Sequence, residues 1–167
     1  MRWWRCCGGW LLRERLDEAV SDAPVSPLVR RYLRTAIGFL LAGLGLGLWM
    51  LIQRELEGRY PGPRLISAHT HVILVGFVMM MILGVALWMF PRPQRNDVRY
   101  RPAFAEAAYW LLTVSTAVRF VGEVLPPGAV GPLQGWLVVL AGSGQVGALG
   151  IFFYNLLPRI RSARDAE

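Results

Sequence analysis

The sequence predicts an all-α integral membrane protein: one four-helix unit running up, down, up and down. Three observations carry that prediction. Four apolar runs are each long enough to cross a bilayer, whose ~30 Å hydrocarbon core takes roughly 20 helical residues. The charges crowd into short blocks between those runs, although the chain is 54% hydrophobic and only 17% charged. The connections are short and marked by proline, which places consecutive helices antiparallel and adjacent.

The first run, "YLRTAIGFLLAGLGLGLWMLIQ", spans about residues 32–53. Its helix is expected to start earlier, with Ser26 as N-cap and Pro27 at the first helical position. The second, about 65–90, is stopped by Pro91 and Pro93. The third, about 103–124, is stopped by Pro126 and Pro127, and the fourth, about 132–157, by Pro158. None alternates with a two-residue period, so a β-barrel is not indicated. The expected organisation is an N-terminal Arg/Trp-rich segment (1–25), a four-helix membrane domain (26–158) and a short tail (159–167).

The net charge of +7 comes from arginine, because the chain has no lysine. Arginines flank spans instead of lining one face, so the basic charge does not point to nucleic acid. Arginines cluster before the first span, between the second and third, and after the fourth. The positive-inside rule therefore predicts cytoplasmic N- and C-termini in the cell's inner membrane. The N-terminus is no good signal peptide, since arginines break its apolar stretch. Trp3, Trp4 and Trp10 fit the headgroup level there, with arginines on anionic lipid. Cys6 and Cys7 are adjacent, a poor geometry for a disulfide. No CxxCH is present, so covalent c-type heme attachment is not expected. "GSGQVG" matches GxGxxG but lies inside a span with no preceding strand, and is no nucleotide site. Trp88, Tyr109, Trp110, Tyr154 and Asn155 could line a quinol site, but aromatic residues towards span ends more often anchor at the interface.

Chemistry concentrates in "ISAHTHVILVGF", residues 66–77, which holds both histidines of the chain, His69 and His71. They fall roughly 10 Å inside the expected outer boundary at ~1.5 Å rise per residue. Residues two apart on a helix point about 160° away from each other. Two such imidazoles do not clip one metal, which calls for i, i+3 or i, i+4 spacing. As ligands they serve two sites; as plain polar residues they have a packing role or face a pore. Gly76 lies at i+7 from His69 and leaves room for a flat ring along the helix. Glycines are dense in the first and fourth runs, which lets helices approach closely. Arg119 sits at nearly the depth of the histidines, with Glu123 at i+4. An arginine inside a span faces a partner. That partner is either Glu123 or an anionic cofactor group.

The stretch "SAHTHVILVGFVMMMILGVALWMFPR", residues 67–92, resembles the histidine-bearing helices of heme-copper oxidase subunit I. That subunit has three arcs of four helices, and this chain is similar to a single arc. His69 aligns with a lone heme-ligating histidine after alanine, and His71 with the second position of a His-x-His. The resemblance implies heme, b-type in the favoured reading, with iron held by His69 and His71, Gly76 beside the ring and Arg119 near a propionate. With only two histidines the chain lacks the family's copper ligands and its histidine–tyrosine pair, so oxidase or reductase chemistry is not implied. A bis-histidine heme has no open iron position. The expected function is thus electron transfer near the outer face, with a respiratory-chain redox partner. Each iron needs a histidine from another copy, and three copies rebuild twelve helices. A homotrimer is therefore favoured, and a dimer comes second. The alternatives are a heme protein binding nitric oxide or dioxygen through a labile histidine, and a heme-free accessory subunit.

Overall fold

The computed structural model describes residues 26–90 and 102–157. The N-terminal segment with Cys6 and Cys7, the arginine-rich second connection and the tail lie outside the described residues. Four helices follow in order: α1 (Pro27–Glu57), α2 (Pro63–Met89), α3 (Pro102–Val124) and α4 (Leu133–Leu156). The start of α1 is as expected. The Ser26 side chain accepts from Val29 N, and Pro27, which has no N–H to leave orphaned, opens the helix. Gly58 ends α1 in the left-handed conformation (φ 64°), returning its N–H to the Gln53 carbonyl.

α1, α2 and α4 are long and apolar enough to cross a membrane. α3 has comparable length at 23 residues, but it carries Glu106, Arg119 and Glu123 and is not among them. These charges have partners: Glu106 pairs with Arg31 of α1, and Arg119 with Glu123. The unit is multi-pass, with broad apolar surfaces facing outward along α1, α2 and α4.

The apolar core lies at one end of the bundle. It joins Tyr32 and Ala36 near the start of α1, Met80 and Leu83 near the end of α2, Ala108, Tyr109 and Leu112 near the start of α3, and Ala148, Phe152 and Leu156 near the end of α4. Starts meeting ends in this way is the up-down-up-down order. Tyr32 packs edge-on against Tyr109 and Phe152, with ring centroids 5.0 and 6.1 Å away. Its hydroxyl donates to the Ala105 carbonyl at 3.1 Å, while Thr35 and Tyr109 share a 2.8 Å hydrogen bond. Tyr32→Phe should therefore lower stability by about 1 kcal/mol without altering the helix count. Thermal unfolding in detergent with circular dichroism checks both; no loss of stability would mean that the Tyr32–Ala105 bond contributes nothing.

α2 contains one departure from α geometry that the sequence does not announce. Residues Val72–Met79 form a π-helical segment directly after His71. Such wide turns inside α-helices occur frequently at functional sites. Here it separates the histidine-bearing turns from Met80 and Leu83, so the two halves of α2 serve different parts of the bundle.

Candidate functional site

α2 packs antiparallel on α1 through glycines of both helices. Gly47 of α1 lies under the His69 ring: a Cβ there would stand 2.8 Å from His69 Cε1. Gly43, one turn earlier, meets the tip of Ile73. Phe39 in turn lies over Gly76, where a Cβ would stand 2.8 Å from its ring. The glycine density of α1 thus serves close helix approach, as expected. The space above Gly76, which the sequence reading gave to a flat cofactor ring, is filled by the chain's own Phe39.

The two histidines part as the i, i+2 spacing requires. His69 turns to α1, and its Nδ1 lies 3.0 Å from the Gly43 carbonyl oxygen. His71 turns back over its own helix, with Nδ1 2.8 Å from the Ser67 carbonyl oxygen. A carbonyl oxygen can only accept, so each Nδ1 donates a proton there, and Nε2 is the ring nitrogen left to face a metal. His71 Nδ1 also lies 3.3 Å from Ser67 Oγ. The single hydroxyl proton of Ser67 goes to Glu123 Oε1 at 3.0 Å, so that oxygen too receives from His71. Orientation of one ring nitrogen by a carbonyl is what prepares the other as a metal ligand.

Gly47→Ala should therefore displace the His69 ring and break its bond to Gly43. The expected effect is a loss of roughly 1–3 kcal/mol from overpacking, with a changed His69 tautomer signal in nitrogen-detected NMR. An unshifted signal would mean that Gly47 does not hold the ring.

Beyond His71 runs a polar network that the sequence reading recognised only in part. Arg119 Nε donates to Glu123 Oε1 at 3.2 Å, the i+4 pair anticipated from spacing. Its Nη1 also donates to Gln145 Oε1 at 3.1 Å across to α4. Gln145 Nε2 in turn donates to Thr116 Oγ1 at 3.1 Å. Gly142 lets the guanidinium lie close, since a Cβ there would stand 3.4 Å from Nη1. Hydrogen bonds thus connect His71 to Arg119 through Ser67 and Glu123. Ser67, Thr116 and Gln145 are the members that the sequence reading lacks, and two of them carry a visible signal. Ser67 stands one turn before His71 on the same face, and Gln145 is a lone amide in an otherwise apolar span. Both were legible as polar residues that needed partners.

The fit to a heme rests on this donor set. Two imidazoles with Nδ1 held by carbonyls and Nε2 presented outward are suitable axial ligands. Among the described residues no cluster of three or more His, Cys, Asp or Glu forms a metal site of another kind. No curated protein matches the chain, and no solved structure does. The family model for cytochrome C and quinol oxidase polypeptide I matches residues 27–162, which takes in all four helices. That match covers most of the chain and includes both histidines. The chain belongs to this family, that of heme-copper oxidase subunit I.

Proposed function

We propose that this protein is a membrane cytochrome that binds b-type heme through His69 and His71 and relays electrons near the outer face of the inner membrane. One observation carries the reading: both imidazoles donate Nδ1–H to backbone carbonyls, on opposite sides of one helix, and Nε2 of neither has a hydrogen-bond partner among the described residues. Bound heme would supply one-electron transfer, with its potential set by burial and nearby charge. His69 and His71 hold the iron from Nε2. The Gly43 and Ser67 carbonyls fix the rings, and Glu123 binds the Ser67 hydroxyl beside His71. Arg119 contributes positive charge to the same network, where it offsets Glu123 and an acidic group of the cofactor. Gly76 takes no part in the proposal, because Phe39 covers it.

Two imidazoles on opposite sides of α2 cannot serve one iron, so the second axial ligand comes from another copy. Three copies with His69 of one chain facing His71 of the next use every histidine, so a homotrimer with both termini cytoplasmic fits best. The discriminating experiment is a carbon monoxide difference spectrum on the reduced, purified protein. A bis-histidine relay has no open position and should give almost no signal. A full carbon monoxide spectrum would contradict the relay and favour a gas-binding site with a labile histidine.

A further inference from the structure

We infer that the cleft between the start of α2, the end of α3 and the α3–α4 turn binds the headgroup of an anionic, hydroxyl-bearing phospholipid, of the phosphatidylglycerol kind. The cleft has a volume of about 530 Å³ and is lined by Pro63, Arg64, Ser67, Glu123, the turn glycines and the first residues of α4. It lies where apolar helices begin and end, which is the depth of lipid headgroups.

Four features define the ligand. Glu123 is 7% exposed, and its Oε2 is the buried side-chain atom without a hydrogen-bond partner among the described residues. A buried carboxylate oxygen left unpaired is costly, so the site lacks a hydrogen-bond donor. Among the described residues Arg64 makes one hydrogen bond, from Nη2 to the Gly122 carbonyl at 2.7 Å, which leaves its other N–H groups for an acceptor. α2 and α4 both begin at this cleft without side-chain caps, and helix N-termini favour anions. The group Arg64, Arg119 and Glu123 holds two guanidiniums against one carboxylate, an excess of one positive charge. The matching ligand carries a phosphate for Arg64 and the helix ends, and a hydroxyl that donates to Glu123 Oε2. Net charge favours an anionic lipid over a zwitterionic one, while Pro63, Pro132 and Val138 offer apolar wall to its acyl chains.

Gln134 is not available to the ligand. Its Oε1 accepts the Gly128 N–H, and its amide donates to the Gly122, Leu125 and Pro126 carbonyls. Those bonds hold the turn that forms the cleft wall, and Gly128 and Gly131 complete it at positive φ (83° and 59°).

The test is native mass spectrometry of the delipidated full chain with three lipids of identical acyl chains, together with free glycerophosphate. Phosphatidylglycerol should bind about tenfold tighter than phosphatidylcholine. It should also beat phosphatidylmethanol, which has the charge but no free hydroxyl. Arg64→Gln should bring phosphatidylglycerol down to the phosphatidylcholine level. Glu123→Gln should keep the preference for anionic lipid but lose the one for the hydroxyl. Equal binding of phosphatidylglycerol and phosphatidylmethanol by the unaltered protein would overturn the hydroxyl assignment whatever the variants do. Equal binding of all three lipids, or glycerophosphate binding as tightly as the lipid, would overturn the site.

Discussion

Glu123→Ala is expected to destabilise the protein by about 3 kcal/mol, the scale for breaking a buried ion pair from one side. Glu123 is 7% exposed and the Arg119 side chain 20%, so water screens this pair little. Removing the carboxylate leaves the Arg119 guanidinium with Gln145 alone and strips the Ser67 hydroxyl of its acceptor. Ser67 would then turn its proton elsewhere, and of the hydrogen bonds from α2 to α3 at this end the one from Arg64 to the Gly122 carbonyl would remain. Glu123→Gln retains an accepting oxygen and should cost about half as much, because the bonds survive in weaker, uncharged form. Denaturation in detergent micelles, on protein free of cofactor, measures both. A loss under about 1 kcal/mol for the alanine variant would show that the network is no structural link, in line with the small values found for some polar contacts inside membranes.

The second large effect concerns the histidines. His69→Ala and His71→Ala should each abolish heme binding, not halve it. If every iron takes one His69 and one His71 from different chains, either substitution removes one axial ligand from every site. A ratio of about one heme per chain, as bis-histidine ligation at shared sites requires, should fall close to zero in each variant and no further in the double variant. Retention of half the heme in each single variant would point to two independent single-ligand sites. The Gly43 and Ser67 carbonyls explain why exchange for another nitrogen base should not rescue. They fix which ring nitrogen would face an iron, and a side chain such as Asn offers no equivalent lone pair.

Much of the fold was legible because its signals are local. Ser26 and Pro27 announce a helix start whatever surrounds them, and the proline stops set where spans end. Gly43 and Gly47 announced close approach, and the i, i+2 spacing of the histidines announced opposite directions. What escaped depends on the register of one helix against another. Nothing in "VILVGFVM" separates π from α geometry, since every residue in it is apolar and no face is marked. Gly76 read as open space because the residue that fills it, Phe39, belongs to a different helix and reaches it only at the observed register. Arg119 carried two readings, and the structure shows the first, its pair with Glu123 at i+4; a cofactor partner stays part of the proposal. Gln145 lies inside the nucleotide-like "GSGQVG", where a lone amide in an apolar span needs the partners that Arg119 and Thr116 supply from α3.

On the proposed reading, His69 and His71 each supply half of a heme site, and a neighbouring copy supplies the other half.

The most direct measurement of that central claim is a visible spectrum and heme-to-chain ratio on the purified oligomer, with its mass determined by light scattering. The account predicts a six-coordinate b-type spectrum, about one heme per chain and an assembly of three chains. Protein expressed with ample heme that shows no Soret band, or that carries its full heme complement as a single chain, would contradict it.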